Sequence, residues 1–209
     1  MGLGQDRNRS SFTIPRRVSL WQLPAVLIAS SGILELFGDP GRAGLRLDRA
    51  AILDGEIWRL LSGHFVHLGI SHYILNGLGL ILVWLLVGMH FELRQWLLVI
   101  VVSIAGVDAG LLYFDHELVW YVGMSGLLHA MLAAGIVGGL KAAPREMVIV
   151  AIVILAKITV EQLVGPLPGS EESAGGEVVV NAHLYGVLAG AIAAAAIIRG
   201  HFKRHKNGE

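Results

Sequence analysis

Long apolar runs separated by short polar stretches dominate the chain. A helix that crosses a bilayer needs about 20 mostly apolar residues, and this template selects six segments, at residues 18–37, 71–87, 95–114, 125–140, 147–164 and 178–198. The fourth segment is short, so the chain before Ser125 is expected to enter the membrane as non-helical backbone buried in protein or facing water. The pattern predicts an all-α membrane protein with six transmembrane helices.

Composition supports a membrane location and narrows the chemistry. Hydrophobic residues make up 55% of the 209 positions and charged residues 15%, against about 25% charged in soluble proteins. The absence of cysteine excludes disulfides and thiolate metal sites, and a net charge of zero gives no reason to expect a nucleic-acid partner. We expect one helical domain at 18–199, with an N-terminal tail at 1–17 and a basic tail at 200–209.

The distribution of basic residues predicts the orientation. Basic side chains cluster on the cytoplasmic side of membrane proteins, and alternation of the six spans places both tails and the connections around residues 88–94 and 141–146 on that side. Both termini are therefore predicted to be cytoplasmic. The connection at 38–70 mixes acidic and basic residues with helical periodicity, and we expect a structured outer loop with Trp58 as an interfacial anchor.

Six polar residues fall near the predicted outer ends of three spans, where polar groups are costly and are functional candidates. They form three close pairs: His72 with Asn76, Ser125 with His129, and Asn181 with His183. The first two pairs are spaced i, i+4, so each lies on one helix face. The six residues together indicate a site.

The residue types at this site suit acyl transfer. A serine hydroxyl becomes a nucleophile when a neutral histidine accepts its proton, and either His129 or His183 could serve Ser125. His183 is favoured because a side chain on a facing helix can approach the hydroxyl end on. His72, the Asn76 amide and the Ser125 backbone N–H could donate hydrogen bonds to an oxyanion.

Glycines accompany these residues at the predicted helix contacts. Gly123 and Gly126 flank the serine where a loop becomes a helix, and Gly186 and Gly190 form a G-x-x-x-G that permits close helix packing. The sequence is G-x-S-G and has Leu127 where a G-x-S-x-G elbow has its second glycine, so it is not a soluble-hydrolase signature.

The motifs taken together resemble the rhomboid family of intramembrane serine proteases. The resemblance rests on "EIWRLLSGHFVHLGISHYILN" with its W-R pair and H-x-x-x-N, on "GMSG", on "NAHLYGVLAG" and on "GMHFELR" at the end of the second span. It implies a minimal six-helix rhomboid over nearly the whole chain. The small size and "GMSGLLHA" look like the rhombosortase branch, whose members are thought to process bacterial proteins with Gly-Gly C-terminal tails.

The resemblance also implies roles for individual residues. Ser125 would be the nucleophile and His183 the base of a Ser-His dyad without an acid, while His72 and Asn76 would form the oxyanion hole. His67 would support the outer end of the second helix. His129 stands where the family commonly has a tyrosine that stacks on the catalytic histidine.

Partners and location follow from the same resemblance. The partners would be the transmembrane segment of a protein substrate and the lipid bilayer, with no cofactor or metal. The expected location is the bacterial cytoplasmic membrane.

Two alternatives remain open from the sequence. A small transporter or channel could use the intramembrane charges Asp108, Lys157 and Glu161, although Lys157 and Glu161 at i, i+4 are also typical of a structural ion pair. An inactive rhomboid-like binding protein is the other alternative. The remaining histidines, His64 among them, are interpreted as interface or loop residues.

Overall fold

The computed structural model describes residues 16–206, with side chains described for residues 21–200. Residues 1–15 of the predicted N-terminal tail and 207–209 of the predicted C-terminal tail lie outside these described residues. Helices dominate the described chain: α1 (Arg16–Glu35), α2 (Gly38–Leu45), α3 (Arg49–Leu53), α4 (Arg59–Ser62), α5 (Ile70–Val87), α6 (Leu93–Tyr113), α7 (Ser125–Gly139), α8 (Pro144–Val164), α9 (Ser170–Ala174) and α10 (Val180–Lys206). A 3-10 turn at Gly88–His90 follows α5.

The predicted helical, multi-pass membrane protein is confirmed. Within the described range, α5, α6, α8 and α10 are each long and apolar enough to cross a membrane. Helix α1 meets that condition only together with α2, which is bent from it by 114°. Helix α7 has 15 residues, about 22 Å at 1.5 Å per residue, shorter than the hydrocarbon core of about 30 Å. The six-span count and the cytoplasmic termini therefore stay predictions.

Helix α7 lies at the centre of the bundle, with most of its residues buried. Its main partner is α10, and the two backbones touch at glycines. A Cβ on Gly186 would overlap the Gly126 carbonyl oxygen, and one on Gly190 would overlap the carbonyl oxygen of Ala130. The predicted close contact through the G-x-x-x-G is thus confirmed, because only glycine leaves room for the facing carbonyls.

Residues 36–69 form the structured loop that the sequence predicts. Arginine side chains hold it: Arg59 donates to the carbonyl oxygens of Ala43 at 2.9 Å and Arg46 at 3.0 Å, and Arg49 donates to four carbonyls around the end of α6. Trp58 is 53% exposed, and its role as an interfacial anchor stays a prediction.

A short antiparallel ladder, which the sequence did not predict, joins this loop to the segment before Ser125. Strands β1 (Leu47–Asp48) and β2 (Trp120–Tyr121) pair in the register Leu47 with Tyr121 and Asp48 with Trp120. Two residues per strand are too few to produce a recognisable alternation. The ladder fixes the chain that leads into α7.

Candidate active site

The loop before α7 turns sharply so that Ser125 begins the helix. Gly123 has φ +115°, a conformation that L side chains rarely adopt, and a Cβ there would lie 2.7 Å from Cε1 of His72. The Gly123 N–H donates to the Gly63 carbonyl at 3.0 Å, and the Tyr121 hydroxyl donates to the Gly123 carbonyl at 2.6 Å. These bonds hold the turn that presents the serine.

Helix α10 brings a histidine to this serine. His183 Nε2 lies 3.0 Å from Ser125 Oγ, and the His183 side chain is buried. The approach depends on Gly126, where a Cβ would lie 2.9 Å from the Ala182 carbonyl oxygen. The hydroxyl and the imidazole are within the hydrogen-bonding range that proton transfer requires.

An acidic side chain lies on the other ring nitrogen of His183. Glu161 Oε2 is 2.9 Å from His183 Nδ1, and Lys157 Nζ is 2.5 Å from Glu161 Oε1 and 3.4 Å from His183 Nδ1. The predicted i, i+4 pair of Lys157 and Glu161 is present. The expectation that His183 has no acidic partner is wrong, since the face of α8 that carries Glu161 turns toward α10.

The second histidine of the serine helix stacks on the first. The rings of His129 and His183 are 4.1 Å apart between centroids and 15° from parallel. His129 Nδ1 is 2.7 Å from the Ser125 carbonyl oxygen, which can only accept, so Nδ1 carries the hydrogen. The imidazole thus stacks as the family tyrosine does, and its position is fixed by the backbone of the serine.

The two side chains predicted to bind an oxyanion, His72 and Asn76, have different hydrogen-bond partners. His72 Nδ1 accepts from the Leu68 N–H at 3.3 Å, which assigns the hydrogen to Nε2, and the ring faces Gly123 in the turn before the serine. Asn76 is buried and donates through Nδ2 to the His72 carbonyl at 3.0 Å. An amide nitrogen has two hydrogens, and this bond uses one of them, which leaves the second for another acceptor.

His67 and Asn181 lie at the edges of this site. The fully buried His67 ring packs edge-on against His72 at 5.1 Å between centroids, and the Arg42 guanidinium donates to the His67 carbonyl. These contacts place His67 beside the start of α5, and its supporting role stays a prediction. Asn181 donates to Asp115 Oδ1 at 2.5 Å, so its amide is bonded outside the serine–histidine contact, and its membership of the site stays a prediction.

The cluster around His183 also has metal-ligand types. His129, Glu161 and His183 bring ligand atoms within 4.8 Å of one another. Zinc ligands direct their lone pairs at one centre about 2 Å away, whereas these two imidazoles lie face to face and the carboxylate is paired with the Lys157 ammonium. The arrangement suits proton transfer better than metal binding.

Comparison with known proteins agrees with this geometry. The family model of the rhomboid domain matches residues 54–200, which include the second half of the loop, the serine turn and the histidine of α10. The chain belongs to the rhomboid family. No curated protein matches the chain closely. Rhomboids are intramembrane serine proteases, some of which are inactive.

A buried histidine–aspartate hydrogen bond that sequence reasoning missed lies beneath the serine turn of this rhomboid. His64 Nε2 is 2.9 Å from Asp108 Oδ1, both side chains are buried, and the His64 ring packs edge-on against Tyr121 at 5.6 Å between centroids. His64 lies in the loop at residues 36–69, as interpreted from the sequence, but its burial and its bond to Asp108 were not expected. The rarity of charge inside a span singles out Asp108, but nothing local identifies a partner 44 residues away.

This pairing also bears on the transporter alternative. Asp108 is bonded to His64, whereas Lys157 and Glu161 are bonded at His183. The three charges that a transport pathway would use thus belong to two separate hydrogen-bonded groups among the described residues. The structure offers no continuous relay through them.

A Tyr121→Phe change is expected to weaken the serine turn. It leaves the Gly123 carbonyl without its 2.6 Å donor in a buried place, which costs about 1–3 kcal/mol. Thermal unfolding in detergent should show a lower Tm than wild type. Tyr113→Phe, at a tyrosine 73% exposed, is the matched control, and an equal loss in both variants would contradict the role assigned to the Tyr121 hydroxyl.

Proposed function

We propose that this rhomboid is an active intramembrane serine endopeptidase, with Ser125 as nucleophile and His183 as general base. The observation that carries the proposal is the 3.0 Å separation of Ser125 Oγ and His183 Nε2. Two residues 58 positions apart meet with a nucleophile and a base in the arrangement that acyl transfer needs. An inactive binding protein would have no requirement for this contact.

Acylation follows from the positions of the donors and acceptors. Ser125 Oγ attacks the carbonyl carbon of the scissile peptide bond while His183 Nε2 accepts the hydroxyl proton. The developing oxyanion is bound by the Ser125 backbone N–H, which has no acceptor within its own helix at the first position of α7, and by His72 Nε2–H. The free amide hydrogen of Asn76 is a third donor.

Collapse of the tetrahedral intermediate releases the first product. The C–N bond breaks as His183 returns its proton to the leaving amine, which leaves an acyl-enzyme on Ser125. Water then attacks the ester carbonyl and gives its proton to His183. The ester C–O bond breaks as His183 returns that proton to Ser125 Oγ, which releases the carboxylic acid and restores the serine. The chain supplies every catalytic group in this sequence, and solvent supplies the water.

The proposed substrate is the transmembrane segment of a single-pass or C-terminally anchored membrane protein, cleaved near the outer face. Helix α8 carries exposed apolar side chains along its length, and the segment 165–177 beyond it is rich in glycine and acidic residues. Substrate access is proposed at α8 and this segment. As a finer proposal, the enzyme is a rhombosortase of the bacterial cytoplasmic membrane that acts on Gly-Gly tails, with six spans and cytoplasmic termini.

Labelling by a fluorophosphonate tests the proposal, because the probe reacts with an activated serine and not with an ordinary hydroxyl. The full chain purified in detergent should be labelled, and Ser125→Ala should lose the label completely. Equal labelling of both proteins would overturn the assignment of Ser125. A wild type that is folded by thermal unfolding yet unlabelled would favour the inactive, binding alternative.

A further inference from the structure

We propose that Glu161 is a third member of the active site, a positioning acid for His183 that is itself held by Lys157. The inference rests on the proposed protease function and deepens it. Both carboxylate oxygens are engaged: Oε2 lies 2.9 Å from His183 Nδ1, and Oε1 lies 2.5 Å from Lys157 Nζ. The rhomboid resemblance implies a dyad, so this arrangement is a feature of this chain.

The carboxylate determines which ring nitrogen of His183 carries the hydrogen. An ionised carboxylate only accepts hydrogen bonds, so a bond to Glu161 requires the hydrogen on Nδ1. Nε2 is then left with a lone pair directed at the Ser125 hydroxyl 3.0 Å away. Without the acid, the neutral imidazole is free to adopt the other tautomer, which cannot accept the serine proton.

The charge of Glu161 also matters when the proton moves. The side chains of His183 and Glu161 are 6% and 3% exposed, and a new positive charge on an enclosed imidazole is costly unless an opposite charge is close. Glu161 supplies that charge at 2.9 Å. The positive charge of Lys157 opposes this stabilisation of the imidazolium. However, the Lys157 side chain is 29% exposed, so water screens the ammonium more than the carboxylate.

The place of Glu161 on its helix argues against an incidental ion pair. The inner residues of α8 are Met147, Ile154, Ile158 and Glu161. Glu161 therefore continues an apolar stripe at i, i+4, i+7 spacing, where an aliphatic side chain would pack at lower cost. A charged side chain at this buried position, hydrogen-bonded to His183, is explained if it orients and stabilises that base.

The test is the rate of fluorophosphonate labelling of Glu161→Gln in the full chain. Lysine can only donate, so Lys157 will bind the carbonyl oxygen of the new amide and turn its NH₂ toward His183 Nδ1. That forces the hydrogen to Nε2, the unproductive tautomer. We expect the maximal labelling rate to fall about 10²- to 10⁴-fold, as for acid-to-amide changes in serine proteases, with the half-saturating probe concentration unchanged.

A second variant separates orientation from folding. In Glu161→Gln combined with Lys157→Met, the amide is free to turn its carbonyl oxygen to Nδ1–H. We expect this double variant to be labelled at least about tenfold faster than Glu161→Gln alone. A double variant that is labelled no faster than Glu161→Gln would overturn the tautomer argument. If the ion pair were merely structural, the Lys157→Met change would lower the labelling rate further.

The final labelled fraction and a control variant distinguish a slower reaction from a loss of folded protein. Prolonged labelling should reach the wild-type fraction in Glu161→Gln, because a positioning role slows the reaction without removing folded protein. Glu146→Gln, at an exposed residue in the first turn of α8, should label at the wild-type rate. A wild-type rate in Glu161→Gln, with Ser125→Ala unlabelled, would overturn the role of Glu161 and leave the protease proposal standing. Wild-type labelling that persists in Ser125→Ala would instead remove the protease proposal itself.

Discussion

A His183→Ala variant is expected to react with a fluorophosphonate about 10⁴- to 10⁶-fold more slowly than the wild type, the range found when a triad member is removed. His183 Nε2 is 3.0 Å from the serine oxygen. His129, the other imidazole nearby, donates from Nδ1 to the Ser125 carbonyl and is stacked on His183. His129 therefore cannot approach the serine hydroxyl end on in place of His183, and loss of the base should leave the hydroxyl unactivated.

The same experiment distinguishes a catalytic from a structural histidine. Removing Ser125 and His183 together should be no worse than removing either alone, because the two act as one unit. His116→Ala, at an exposed histidine between α6 and β2, should retain the wild-type rate. If His183→Ala is labelled normally while remaining folded, the base has been assigned to the wrong residue.

A Gly186→Val variant is expected to lose most of its stability. The added Cβ would overlap the Gly126 carbonyl oxygen, which belongs to the backbone of α7 and cannot move aside. Overpacking a core typically lowers stability by about 1–3 kcal/mol. A clash between the added side chain and a backbone carbonyl that cannot move should reach or exceed the upper value. The measurement is thermal unfolding in detergent, where the expected result is a large fall in Tm together with loss of labelling.

Gly200→Val is the matched control for this change. Gly200 belongs to the same helix, and nothing lies within 4 Å of a Cβ built on it. Its Tm should stay close to that of the wild type. Comparable Tm values for the two variants would show that the contact between α7 and α10 is not what stabilises the bundle.

The helices and the serine-histidine contact could be expected before the structure was known. Apolar runs are local features, and they predict the bounds of α5, α6 and α8 to within three residues, whereas α10 continues eight residues beyond its predicted end at 198. The G-x-S-G before α7 and the G-x-x-x-G of α10 indicate where two backbones can touch. Together they predict that His183 approaches Ser125, because the glycines and the histidine are on the same helix.

The acid could not be predicted in the same way. Helix α8 carries apolar residues all round, so the 3.6-residue period does not specify which face is buried. Whether Glu161 faces lipid, water or His183 depends on the rotation of α8 against α10. The i, i+4 spacing to Lys157 is visible in the sequence and accounts for the ion pair, but it contains no information about a third partner on another helix.

Long-range pairs beneath the serine turn were hidden for a related reason. His64 and Asp108 are 44 residues apart, and the four helices α3 to α6 lie between β1 and β2 in the chain. Only the folding of the loop at residues 36–69 over the end of α6 brings them together. No local pattern shows that fold, since it is held by arginine side chains that bind backbone carbonyls.

The sequence by itself determined the class of protein, the positions of its long helices and the identities of the serine, the histidine and the glycines between their helices. These follow from hydrophobicity, periodicity and residue size, which act within a few turns of one chain segment. The tertiary structure alone decided that His183 has an acidic partner, that His64 is buried against Asp108 and that Asn181 is bonded to Asp115. Those outcomes depend on the rotation of one helix against another, which packing determines across the whole bundle.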